Sequence, residues 1–212
     1  MLVRPRPPER LLGAEGACTD RPVEPAHDVM VWMRATFIDE EAPLLNEEHA
    51  HLREAMIGVL WCAEPNARQG NAVVGQCETT QFQGGRWAKV RQHQQLQEWF
   101  GFLPHFLITL DAGYADQCSD AQFCSLVEHE LLHAGQERDG YGAPKFRKDG
   151  SPAFAMRGHD VEEFVSIVAR YGVGAAAGRT AELVEAASRA PLICEAEVAG
   201  ACGTCGRSLT YA

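Results

Sequence analysis

Residues 119–135 read SDAQFCSLVEHELLHAG, and the fold turns on them. Ser119 followed three residues later by Gln122 is a capping box, in which each side chain satisfies a backbone N–H at the start of a helix. The spacing predicts a helix from Ser119 to near Gly135, with Phe123, Val127 and Leu131, each four apart, as its inward stripe. On that helix His129 and His133 stand at i and i+4, one turn apart on one face, so both imidazoles can converge on one ion. Zinc accepts nitrogen ligands at about 2.0–2.1 Å and, in catalytic sites, keeps one position for water. Glu130 then faces the open side of the ion. There a carboxylate can take a proton from an attacking water and pass it to a leaving amine. The bland alternative is a pair of ordinary polar-face histidines; the independent cap and the stripe on the opposite face weigh against it.

Two ligands leave a catalytic zinc site one short. Asp139 lies six residues after His133, and a second source is the run Gly158-His159-Asp160-Val161-Glu162-Glu163-Phe164. In that run Asp160 can cap a following helix, Glu163 can complete the cap, and Glu162 falls in the acid-favouring first turn. His159 gains nothing from the positive end of a helix and is the favoured third ligand, with Asp139, Glu162 and Glu163 as alternatives. Asp160 can equally accept a hydrogen bond from a ligand imidazole. Tyr141, Arg157 and Tyr171 are candidate donors to an oxyanion, each with an ordinary packing or surface role as its alternative.

The surrounding chain has 212 residues, 46% of them hydrophobic, enough for one sizeable core. The net charge is −10, from 29 acidic and 19 basic residues. Such a surface repels phosphate backbones unless a basic patch is locally concentrated, and no basic run exceeds scattered pairs, so nucleic acid is not the expected partner. No stretch reaches the roughly 18–20 apolar residues of a membrane span, and Met1 to Arg10 lacks the apolar segment of a secretory signal. The expectation is a cytoplasmic protein acting on a peptide or protein, with no membrane partner. Of the eight cysteines only Cys194, Cys202 and Cys205 cluster. Cys202-Gly-Thr-Cys205-Gly is half of a zinc ribbon, so a second, structural zinc site on these three is a candidate, against a reduced tail without metal.

Along the chain, five prolines mark residues 1–25 as a flexible arm. Asp28 is read as the cap of a helix to Ile38, and a second helix is read from Asn46 to Trp61 with Leu52, Met56, Val59 and Leu60 on one face. Residues 72–79 read as a strand, Gly84-Gly85 as a turn, 87–100 as a polar helix closed by Gly101, and 105–111 as a strand. Helices are expected again from Asp160 to Tyr171, stopped by Gly172, and from Thr180 to Arg189. The resulting plan is a domain over 26–175, followed by a helix and cysteine-containing tail over 176–212.

The motifs Leu126-Val-Glu-His-Glu-Leu-Leu-His133, Gly142-Ala-Pro-Lys-Phe146, Gly158-His-Asp-Val-Glu-Glu-Phe164 and Arg170-Tyr-Gly172 resemble the phage metallopeptidase family. Trp87 and Trp99-Phe-Gly101 fit the same pattern, and the likeness covers residues 28–172. More distantly, the chain is similar to SprT-like proteases, in which a His beginning a later helix, here His159, precedes a Phe, here Phe164. The gap from His133 is longer than in that group. The resemblance implies an α+β, zincin-like domain with a small sheet packed on the active-site helix and an edge strand that pairs with extended peptide. It implies a zinc metallopeptidase. The rival readings are a non-catalytic zincin-like binding protein and a DNA-associated SprT-like protease.

Overall fold

The computed structural model of the chain describes residues 3–12, 20–68, 71–161, 173 and 179–190. One compact unit ends at Arg157 and a second begins at Gly158. In chain order the first contains β1 (Val23–Pro25), α1 (His27–Met33), β2 (Ile57–Cys62), β3 (Asn66–Arg68), β4 (Asn71–Val73) and β5 (Gly75–Thr79). Then come α2 (Arg86–Phe100), β6 (Phe106–Asp111), α3 (Ala112–Gln117), α4 (Asp120–His133), β7 (Ala134–Gln136) and β8 (Phe154–Met156). The second unit contributes α5 (Thr180–Ala187). No helix of the described residues is long and apolar enough to cross a membrane.

The main sheet has the order β1-β2-β6-β5. β2 and β6 are parallel, and β1 and β5 flank them antiparallel as edges. Side chains alternate across the sheet with period two. Ile57, Val59 and Trp61 of β2 and Phe106, Ile108 and Leu110 of β6 enter one core with Phe123, Val127 and Leu131 of α4 and Val29, Trp32 and Met33 of α1. Trp61 and Trp32 both tilt against Phe123, at ring-centroid distances of 6.0 and 5.4 Å. Leu60 and Leu107 point to the other face, where Leu96 and Phe100 of α2 cover them. Gly58 lies under Phe100, where a Cβ would come within 2.9 Å of the ring and of Pro104, so a side chain there would lift α2 off the strand.

The α+β architecture and a sheet on the motif helix match the expectation from sequence, and several elements differ. Residues 46–61 are not one helix: Glu47–Glu54 is a 3-10 helix capped by Asn46, and β2 follows it. A strand buried on both faces shows a continuous apolar run, Ile-Gly-Val-Leu-Trp, instead of alternation, which periodicity cannot separate from a helix. The first helix starts at His27 rather than after Asp28, and its last turn, Arg34–Ile38, is π-helical. The strand read over 72–79 is broken at Val74 into β4 and β5. The predicted helix from Asp160 lies outside the described residues beyond Val161, as does the tail from Pro191.

Of the first 25 residues, read as a flexible arm, the described stretches 3–12 and 20–25 are in good part packed. Arg4 is buried, donating to the carbonyls of Ala115 (2.7 Å) and Cys118 (2.6 Å) at the end of α3 and to Asp120 (2.6 Å) in the first turn of α4. Its guanidinium also sits 4.8 Å from the Phe123 ring centroid. Leu11 joins the core, and β1 pairs with β2. Proline and charge hid this segment because its anchor is one buried arginine, bonded through all three guanidinium nitrogens, rather than an apolar stripe.

Candidate metal centre

α4 is built as its sequence predicts. Ser119 Oγ accepts from the Gln122 N–H (3.2 Å), and Gln122 Oε1 accepts from the Ser119 N–H (2.8 Å), closing the capping box. Phe123, Val127 and Leu131 are fully buried, which fixes the rotation of the helix about its axis. That rotation leaves His129, Glu130 and His133 along the adjoining side.

The Nε2 atoms of His129 and His133 approach to 3.2 Å, with the rings inclined at 75°. Two nitrogens bound at about 2.05 Å to a tetrahedral ion lie about 3.3 Å apart, so the observed spacing fits a shared metal. Nδ1 of His133 lies 2.7 Å from the Arg157 carbonyl oxygen. A carbonyl can only accept, so Nδ1 carries the proton and Nε2 presents its lone pair inward, the tautomer a metal ligand requires. The Arg157 N–H donates back to the His133 carbonyl (2.9 Å), so the last residue of α4 and the end of β8 hold each other.

Glu130 is wholly buried. Its carboxylate lies against Gly75, the first residue of edge strand β5: a Cβ built there would stand 2.9 Å from Glu130 Oε1 and 2.7 Å from Leu126 Cδ1. Gly75 was not singled out in the sequence. Its signal was a glycine inside a strand pattern, which marks a close approach by another group.

The 3-10 helix over 47–54 braces the far end of α4. His51 Nε2 donates to the Ala134 carbonyl (2.7 Å), Asn46 Nδ2 donates to Glu128 (3.0 Å), and Glu48 pairs with Arg157 (2.6 Å). Burial holds the His51 pKa below its usual value, and burial, with the neighbouring His51 second, pushes His49 down to about 4. Both histidines are therefore neutral at neutral pH.

Arg157, a candidate oxyanion donor, has its guanidinium on Glu48. Tyr141 is 99% exposed at the tip of the excursion between β7 and β8. Asp139 is spent on that same turn, accepting from the N–H groups of Tyr141 (2.8 Å) and Ala143 (2.9 Å). His159 is the second residue of the second unit, and its neighbour Asp160 pairs with Arg179 (2.6 Å) at the start of α5. Glu162, Glu163, Tyr171, Cys194, Cys202 and Cys205 lie outside the described residues.

Neither the curated proteins nor the solved structures contain a match to the chain. The family described as Putative phage metallopeptidase matches residues 30–188, a span that holds the whole of α4, the edge strand β5 and His159. With three quarters of its length matched and the paired imidazoles inside the match, the chain belongs to that family.

Proposed function

We propose that this protein hydrolyses peptide bonds with a zinc ion held by His129, His133 and His159 and with Glu130 as general base. The observation that carries the proposal is the 3.2 Å approach of the two Nε2 atoms, with the His133 tautomer set by the Arg157 carbonyl. Each of the three histidines offers an imidazole nitrogen, the donor type that zinc takes. Imidazole sets of this kind favour zinc over the oxygen-seeking cations. Support for His159 also comes from the chain itself, since two residues span at most about 7 Å and Arg157 is bonded to His133 in both directions.

When bound, zinc supplies polarisation of the substrate carbonyl and a lowered pKa for water. Glu130 takes a proton from the attacking water and returns it to the leaving amine, and Gly75 leaves the room in which that carboxylate sits. Among the described residues β5 is an edge of the main sheet, and that edge is the expected seat of the substrate, paired through its backbone while Gly75 brings the strand alongside Glu130.

The test is metal content and peptide hydrolysis on purified variants. Glu130→Gln is expected to keep zinc and lose about 10³-fold or more in kcat, and His133→Ala to lose the metal as well. Hydrolysis in Glu130→Gln equal to wild type would overturn the general-base role. One zinc retained in His159→Ala would move the third ligand to Asp139, Glu162 or Glu163.

A further inference from the structure

We propose that the first half of α2, with Phe82, is a binding site for single-stranded nucleic acid. Between Glu78 and Glu98 the sequence holds no carboxylate, but Arg86, Lys89, Arg91 and His93 all fall there. The structure turns these residues to solvent, because only Leu96 and Phe100 of α2 are buried. An open cleft of about 610 Å³ runs beside the helix, lined by Phe82, Arg86, Lys89, Val90 and His93 with Gly84. Phe82 and His93 lie in tilted contact across it, 5.7 Å between ring centroids. Trp87, 83% exposed, follows Arg86 on the helix, and Arg91 stands one turn after it.

The ion pairs of the described residues engage Arg4, Arg6, Arg10, Lys145, Arg157, Arg179 and Arg189, and none involves Arg86, Lys89 or Arg91. α2 opens on Gly85 without a side-chain cap and without an acid in its first turn, and it carries Arg86 and Lys89 there instead. Cations at that end oppose the helix dipole. An anion seated beside them would remove the conflict. The net charge of −10 does not forbid this, since exposed charges beyond a Debye length of about 10 Å at 0.1 M salt are largely screened.

Phosphates supply the anions, and the aromatic wall names the rest of the ligand. Unpaired bases stack on rings of any sequence context, whereas the bases of a duplex are already stacked on each other. Cations flanking aromatic faces are the pattern of sequence-tolerant single-strand sites.

Fluorescence anisotropy of a labelled thymidine oligonucleotide with the full zinc-supplemented chain tests the proposal. Its readout does not pass through peptide hydrolysis, so it stands or falls apart from the metal site. With three phosphates neutralised, raising salt from 50 to 200 mM should weaken binding roughly 20-fold. Arg86→Gln/Lys89→Gln should bind at least about tenfold more weakly at 50 mM salt and show a shallower salt slope. Phe82→Leu, which keeps an apolar side chain but no ring, should lose about fivefold or more with the slope unchanged. Circular dichroism confirms that each variant is folded. The proposal is overturned by an absence of wild-type binding at 50 mM salt or by double-variant affinity equal to wild type. Equal affinity for a duplex, polyglutamate or anionic vesicles would overturn it as well.

Discussion

α4 and α2 are nearly equal in length, 14 and 15 residues, and are held by opposite means. α4 begins on a reciprocal cap, carries Asp120 at its positive end and His133 at its negative end, and buries six side chains. α2 begins on an uncapped glycine, carries cations at its positive end, and is anchored by two buried residues near its C-terminus. Local signals and packing agree along α4, so two imidazole nitrogens stand at a spacing a metal can use. In α2 the local rules are broken where the helix leaves the sheet, and the freed surface is basic and aromatic. Agreement across levels marks the element that must be placed accurately; conflict marks the element that meets something outside the chain.

The largest effect is expected where α4 meets the edge strand. Gly75→Ala puts a Cβ 2.7 Å from Leu126 Cδ1 and 2.9 Å from Glu130 Oε1, so the carboxylate or the strand must move. Misplacing a catalytic group by about 1 Å costs about 10²-fold in kcat, and overpacking costs about 1–3 kcal/mol of stability. Steady-state kinetics and denaturant unfolding on the same protein would separate the two. A kcat within twofold of wild type would show that β5 does not set the position of Glu130.

Acid probes the bracing of α4. His49 is fully buried with neither ring nitrogen hydrogen-bonded among the described residues, and its folded pKa of about 4 lies below the unfolded value of 6.5. The unfolded chain therefore binds more protons as pH falls, and stability is full above pH 6.5 and lost on the way down through 4. The loss from this group is about 2–3 kcal/mol between those limits. His49→Leu should flatten that part of the stability–pH curve. If both proteins lose stability equally between pH 6.5 and 4, the buried imidazole is not the source. Smaller still is the cap: Ser119→Ala should cost about 1 kcal/mol in urea unfolding, because it removes the Oγ that accepts from the Gln122 N–H.

The same contrast explains what could be read in advance. Ser119, Gln122 and the Phe123-Val127-Leu131 stripe announce α4, and Gly101 announces the end of α2 through a left-handed C-cap (φ 75°). The residues that place the site from outside α4 gave no such signal. Arg4 acts through three long-range hydrogen bonds and Asn46 through one, Gly75 acts through a missing side chain, and β2 hid its strand by being apolar on both faces. Each of these is a pairing across more than fifty positions or a buried parallel strand, and neither has a local period.

The finest test of the contrast is to give α2 the cap that α4 has. Gly85 has φ −71° and ψ 170°, and a Cβ there meets nothing within 4 Å, so Gly85→Asp fits without strain. The new carboxylate can accept from the uncapped N–H groups and sits at the positive end of the helix, which should stabilise the protein by a few tenths of a kcal/mol. It also places an anion beside Arg86, where the proposal for the cleft puts a phosphate. Thermal unfolding should therefore rise slightly while oligonucleotide affinity falls severalfold. Opposite signs are the point of the experiment: a binding site set against local helix preference gains stability when it loses its ligand. If affinity and stability rose together, the cations of the first turn would be ordinary surface charges and α2 would differ from α4 only in being less well capped.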